Sequence, residues 1–284
     1  MNHLSQERLR ERGIGFDSRK VAGIISSALC AGAQGIVCSA HNNTKSALNQ
    51  LRVDDYREHF GVHLIMPDAQ SYVRIASEKG VLGLLSETFG ELSLAGKTKA
   101  VFGGGLSALV ANPTKMMKTY LDAEVSAFAK SIPINAKIKS VSLHELLTEL
   151  IVSFQLKDLT RDYVSYVRDS LGVIPGFVTR NFPRFVRFVS TASISVKDIV
   201  VMTPLNAIGF QMNPSKELCE KALVESDGMS IIAMSLLAAG YLPLEEAVNY
   251  LVRLPIRPSC VVGVSSEAQA IQTFQYLAAR IPRQ

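Results

Sequence analysis

The sequence predicts an α/β protein, a single-domain (β/α)8 TIM barrel that spans residues 1–284 and includes an N-terminal helix. Short apolar runs alternate with amphipathic stretches along the chain, a rhythm typical of parallel strands covered by helices on both faces. The runs form about eight such units, which favours a closed barrel over an open sheet. No linker rich in proline or serine divides the chain, so we expect one domain.

The first half of the chain supplies four of the predicted strands. Residues 17–32 form an amphipathic helix, with Asp17 or Ser18 as its N-cap and Gly32 as its stop. The residues of TKSALNQLRVDDYREHF are predicted as a second helix. Three strands are predicted at GIVCSAHN, VHLIMPDA and VLGLLSETF, which begin at residues 35, 62 and 81. For the fourth strand AKIKSV is favoured over LIVSFQL, because SLHELLTEL opens like a helix capping box. An irregular insertion is expected around residues 88–135.

The second half of the chain repeats the pattern with four more apolar runs. They are GVIPGFVTRN, DIVVMTPLN, GMSIIAMSLLA and SCVVGVSS, separated by helix-like segments such as 213–226 and 243–254. The apolar stretch 230–242 is too short to cross a bilayer. It is predicted to be a barrel strand with Ser235 at its mouth.

Composition and charge narrow the class of protein. A hydrophobic content of 48% and a charged content of 19% describe a globular chain with a large core. The net charge is +5, but the basic residues are scattered and form no stripe with aromatic residues, so no nucleic-acid partner is expected. The four cysteines have no C-x-x-C spacing, and the amino terminus is polar. These features predict a cytoplasmic protein without a membrane partner.

Candidate catalytic residues follow from the barrel prediction, because such enzymes build their sites at the carboxyl ends of the strands. His41, Asp68 and Glu87 end the first three predicted strands. An imidazole beside two carboxylates suits general acid–base catalysis, or part of a divalent-metal site. The alternative is that each residue caps a helix or satisfies a loop amide. His63 is expected at the amino end of its strand in a structural role, and His144 at a helix start.

A candidate anion site follows the last two strands, where barrels commonly bind phosphate. The residues expected to contact the ligand are Ser235, Gly240, Gly263, Ser265 and Ser266. They lie in small-residue turns that lead into helix N-termini, which attract anions. The alternative is simple helix capping by Ser265 or Ser266. The loop at Gly103–Gly105 is open to two interpretations, an anion-binding or lid loop and a tight turn.

The last third of the chain resembles the aldo-keto reductases, (β/α)8-barrel enzymes that use NADPH. IIAMSLLAAGYLPLEEAVNYLVRLP and CVVGVSSEAQAIQTFQYL resemble that family's closing strands, and GVIPGFVTRNFPRFVRFV resembles its fifth strand and following helix. The likeness covers roughly residues 172–277 and implies ligand contacts at Ser235, Gly240, Ser265 and Ser266. It does not imply the family's activity, because Cys38 and Asn43 stand where the family has its catalytic Asp and Tyr.

The sequence therefore predicts an enzyme that acts on a small anionic or phosphorylated metabolite by acid–base chemistry, with metal assistance as a variant. Two alternatives stay open. One is an NADP-dependent oxidoreductase, similar to an aldo-keto reductase, with an atypical active site. The other is a non-catalytic barrel that acts through oligomerisation or ligand binding. The cofactor is accordingly undecided between NADP, a divalent metal and none, and a homo-oligomer is an open alternative.

Overall fold

The protein is an α/β structure built on one parallel sheet. The computed structural model describes residues 15–51, 59–67, 113–226 and 228–281. Within these residues seven strands pair in chain order, and every pair is parallel. The strands are β1 (Gly35–Ser39), β2 (Phe60–Met66), β3 (Ala136–Leu143), β4 (Ile174–Val178), β5 (Val200–Pro204), β6 (Ser230–Met234) and β7 (Ser259–Cys260).

Helices precede and follow the strands. The described residues contain α1 (Ser18–Cys30), α2 (Asn42–Leu48), α3 (Pro113–Ala129), α4 (Glu145–Ser153), α5 (Lys157–Asp169), α6 (Phe182–Thr191), α7 (Lys216–Glu225), α8 (Leu244–Arg253) and α9 (Glu267–Arg280). The predicted start of α1 is confirmed. Asp17 is its N-cap and accepts hydrogen bonds from the amides of Arg19 and Lys20. Gly32 follows the helix with a φ of +107°, a conformation that L side chains rarely adopt.

The sheet is curled, and its two faces belong to different cores. Alternate side chains face the inside of the curl, where residues of five strands and Val261, the residue after β7, form one apolar cluster: Val37, Ile65, Val178, Val200, Met202, Ile232, Met234 and Val261. The opposite face packs against the helices in a much larger cluster. Because β1 and the residue after β7 both contribute to the inner cluster, the two ends of the sheet bend towards each other. The architecture is therefore a half-barrel.

The predicted closed ring of eight strands is not what the described residues show. They contain seven strands, and β1 and β7 are edge strands, each with one neighbour. The predicted third strand, 81–89, lies outside the described residues. It was expected between β2 and the AKIKSV strand, yet β2 pairs directly with β3 from Phe60 to Met66. Pairing between adjacent strands along their whole length leaves no space for another strand between them.

Three other predictions of local structure can be compared with the structure. The weakly signalled strand at AKIKSV is confirmed as β3, and the competing run LIVSFQL falls mostly in α4. The expected irregular insertion is wrong for residues 113–129, because these form α3, which buries Leu121 and Phe128. The helix predicted to begin at Thr44 begins two residues earlier and ends at Leu48. None of the helices in the described ranges combines the length and hydropathy needed to cross a membrane.

A close contact across the inner face generates a test of the packing between β3 and β4. Gly176 pairs with Ser142, and a Cβ added at Gly176 would collide with the Ser142 side chain and with Val200. The Ser142 hydroxyl is buried and has no hydrogen-bond partner among the described residues. Gly176 therefore provides the space that this unpaired hydroxyl occupies.

We expect Gly176→Ala to lower the free energy of unfolding by about 1–3 kcal/mol through overpacking. Ser142→Ala alone should be neutral or stabilising, because it removes an unpaired polar group. The double variant should recover part of the loss, since the alanine lacks the clashing oxygen. Urea unfolding of the four proteins measures this coupling. Strictly additive effects would contradict the proposed contact.

Candidate functional site

The carboxyl ends of all seven strands lie at one edge of the sheet, because the strands are parallel. The loops that leave this edge carry most of the predicted site residues. His41 follows β1, Ser235 follows β6, and Ser265 and Ser266 follow β7. Asp68 and Glu87 lie outside the described residues, so the structure does not show whether they join His41.

His41 is the N-cap of α2. Its Nδ1 atom accepts a hydrogen bond of 3.0 Å from the amide of Asn43. An accepting Nδ1 carries no proton, so the neutral ring has its proton on Nε2. In that state Nε2–H can donate a hydrogen bond, but the ring can take up a proton, and so act as an acid or a base, only when Nδ1 gives up the cap. The capping alternative is thus what the described contacts show.

Ser235 occupies a constrained turn directly after β6. Its φ is +55°, and its hydroxyl lies 3.2 Å from Oε1 of Gln211, a residue of the loop after β5 with a φ of +60°. Two adjacent non-glycine residues in the left-handed region are uncommon and often accompany binding sites. Gly240, further along the same loop, has a φ of +97° and open space around it.

Ser265 and Ser266 arrange the N-terminus of α9. The Ser266 hydroxyl accepts a hydrogen bond from the amide of Gln269 and caps the helix. The Gln269 side chain returns the contact, since its Oε1 accepts from both the amide of Ser265, at 2.8 Å, and its hydroxyl, at 2.9 Å. This arrangement resembles a capping box. It also means that two donors of Ser265 converge on one oxygen atom.

A cavity of about 500 Å³ lies between the two edge strands. Its walls include the residues of β1 and of the β7 segment, together with the inner sides of α1 and α9. Of the predicted site residues, Ser235 and Gly263 line this cavity, whereas His41, Gly240, Ser265 and Ser266 are not among its lining residues. The size and the mainly apolar walls are typical of a small-molecule site.

His63 lines the cavity, although the sequence predicted a structural role for it. It was expected at the amino end of a strand, but it is the fourth of the seven residues of β2 and lines the cavity. Its Nδ1 lies 2.8 Å from the hydroxyl of Ser140. Burial lowers the pKa of His63 below its ordinary value of 6.5, and the nearby positive charge of Lys139 lowers it further.

Two thiols and one hydroxyl group also line the cavity. Burial raises the pKa of Cys38 to about 12 and that of Cys260 to about 11, so both are neutral thiols near pH 7. Thr44 also lines the cavity and is 2% exposed. Its hydroxyl oxygen is buried without a hydrogen-bond partner among the described residues. Buried hydroxyl groups of this kind are rare in native proteins.

The described residues include no group of three or more His, Cys, Asp or Glu side chains arranged to hold a metal ion. His63, Thr44, Cys38 and Cys260 are not among the predicted site residues, because the barrel prediction places the site at the carboxyl ends of strands. The sequence pattern that could have identified His63 is the alternation along β2, which puts His63 on the same inward face as Ile65. The comparisons with known proteins add no family, since the sequence matches no protein-family model and no curated protein.

The pKa of His63 generates a prediction about stability and pH. A histidine whose pKa is lower in the folded state stays neutral there while the unfolded chain takes up the proton. Its contribution to stability is fully present above pH 6.5. That contribution is lost as the pH falls through the folded pKa.

We therefore expect the free energy of unfolding to fall below pH 6.5 in the wild type and to fall less in His63→Gln. The matched control is His59→Gln, which changes an exposed ring on the same segment. Urea unfolding across this pH range measures the three slopes. The assignment is wrong if His63→Gln keeps the wild-type slope.

Proposed function

We propose that this protein is an enzyme of barrel architecture that acts on a small anionic molecule at the carboxyl ends of its strands. The curled seven-stranded sheet would be the wall of that barrel, and the anion would bind where α9 begins. The observation that carries the proposal is the convergence of the Ser265 amide and hydroxyl on one oxygen atom beside the cavity.

The oxygen that now accepts these two hydrogen bonds, Oε1 of Gln269, is in the position that an anion's oxygen would take. It is a neutral amide oxygen on a side chain that can rotate away. A phosphate or carboxylate oxygen makes shorter and stronger hydrogen bonds than an amide oxygen. It is also attracted by the partial positive charge at the helix N-terminus. An anion therefore has an energetic reason to replace the glutamine.

The first turn of α9 carries one acidic residue, Glu267, whose carboxylate is directed towards the neighbouring helix α1. Glu267 is the first residue of α9, but its carboxylate lies against Gly23 of α1, where a Cβ would come within 2.6 Å of Oε1. Gly23 thus allows the carboxylate to pack against the neighbouring helix. The net charge of +5 further favours an anionic ligand over a cationic one.

His41 is the proposed general acid or base, which would release the cap of α2 when it takes up a proton, with Asp68 and Glu87 as its partners or as ligands of a divalent metal. The support for His41 is its position at the start of α2, whose residue Thr44 lines the same cavity as Val264, the residue before Ser265. The alternative of an NADP-dependent reductase uses the same donors of Ser265 for a cofactor phosphate. NADPH therefore belongs among the ligands to be tested.

Calorimetric titration with inorganic phosphate at constant ionic strength tests the anion site. We expect the wild type to bind phosphate weakly. Gln269→Ala should bind it several-fold more tightly, because the variant removes the internal competitor, while Ser265→Ala should bind it less tightly than the wild type. The matched control is Gln272→Ala, an exposed glutamine on the same helix.

The proposal fails if phosphate binds to neither the wild type nor Gln269→Ala, or if Gln272→Ala changes the affinity as much as Gln269→Ala does. NADPH that binds far more tightly than phosphate, and loses affinity in Ser265→Ala, would favour the reductase alternative. An affinity for NADPH no greater than that for phosphate would weigh against it.

A further inference from the structure

The cavity lies between β1 and β7, the two edge strands of the described sheet. Inward side chains of β4 and β5 are almost fully buried, with Val178 5% exposed and Met202 1% exposed. The corresponding residues of β1, β6 and the β7 segment, which are Val37, Met234 and Val261, are only partly buried and line the cavity. The inside of the sheet is therefore packed at its centre and accessible at the seam between β1 and β7.

The walls of this seam are apolar over most of their area. Ile24 and Ile25 of α1 form one side, and Phe274 and Leu277 of α9 form the other. Removing apolar surface from water stabilises a folded protein. The mainly apolar walls of this cavity of about 500 Å³ are not fully covered by other side chains. A ligand with an apolar body would recover that stabilisation on binding.

Two polar features follow the carboxyl ends of the edge strands, where the polar end of such a ligand would bind. The buried hydroxyl of Thr44 lines the cavity without a partner among the described residues, so a polar atom of a ligand would complete it. At the mouth, Val264 lines the cavity, and the next residue is Ser265 with its two converging donors. An apolar wall that leads to a site for an anion fits an amphipathic molecule.

We propose that the substrate is an amphipathic anion whose linear apolar body enters the seam between β1 and β7. The anionic end binds at Ser265, and this part of the inference rests on the proposed function. The apolar body contacts the inward side chains Val37, Met234 and Val261. The substrate class is therefore a carboxylate or phosphate monoester with an aliphatic chain, rather than a compact sugar phosphate.

The first experiment measures affinity along a series of straight-chain carboxylates, from butyrate through octanoate to dodecanoate, each below its aggregation threshold. Burial of each added methylene should tighten binding by up to about 3–4-fold until the cavity is filled. Val261→Phe, which places a larger side chain in the seam, should abolish the dependence on chain length. The matched control is Val252→Phe, because Val252 is 62% exposed on α8.

The second experiment needs no variant and uses the thiols of the chain. Cys260 lines the cavity, whereas Cys30 is exposed and is not among its lining residues. Dodecanoate should slow the alkylation of Cys260 at alkaline pH and leave that of Cys30 unchanged. Equal rates at Cys260 with and without dodecanoate would overturn the inference.

The two proposals fail in different ways. Affinities that are the same from butyrate to dodecanoate, or a dependence on length that persists in Val261→Phe, would overturn the apolar seam while phosphate binding at Ser265 stands. A dependence on length without any phosphate binding would overturn the anion site and leave the apolar body in the seam.

Discussion

The constraint on which the rest of the structure depends is that the seven described strands form a curled sheet whose edges, β1 and β7, do not pair with each other. Parallel strands bond to neighbours on both sides in a closed barrel, whereas β1 and β7 each have one neighbour among the described strands. The curvature nonetheless brings both edges to the same inner cluster. The space left between them is the cavity, and α1 and α9 cover it from outside because they pack against each other along their lengths.

Buried polar groups are paired in some parts of the structure and unpaired in others. The hydroxyl of Tyr163 donates towards the carbonyls of Val141 and Gly176, whereas the hydroxyls of Ser142 in β3 and of Thr44 in α2 have no partner among the described residues. Of these two unpaired groups, Thr44 lines the cavity. Functional sites are the places where such unpaired groups are expected, because their partner is a ligand.

Much of the fold could be predicted from the sequence. Each described strand coincides with a predicted apolar run, because fully covered parallel strands need side chains that are apolar on both faces. Closure could not be predicted in this way. Counting apolar runs does not say which of them pair, and the run at 81–89 was counted as a strand between two strands that are direct neighbours. The insertion was judged irregular although Leu121 and Phe128 lie seven residues apart, a spacing that puts them on one face of α3.

The site was predicted less well than the fold. Ser235 and Gly263 were placed correctly at the carboxyl ends, but nothing in the sequence shows that they line one cavity. His41 and Ser266 act in the structure as helix caps, a role that short polar residues before helices take for local reasons. The residues that the sequence missed, Thr44 and His63, depend on which face of an element is covered. That information is tertiary and cannot be derived from the pattern of one chain.

The central claim is that the edges of β1 and β7, which have no second neighbour among the described strands, are open at the seam. Amide hydrogen exchange measures this most directly, because amides that do not bond to a neighbouring strand exchange faster than those inside a sheet. We predict fast exchange for the amides of Ile36–Cys38 that do not bond to β2. The same is predicted for the amides of Val261 and Val262 that do not bond to β6. Both sets should exchange much faster than the amides of β4 and β5. Protection of these edge amides equal to that of the central strands would contradict the account.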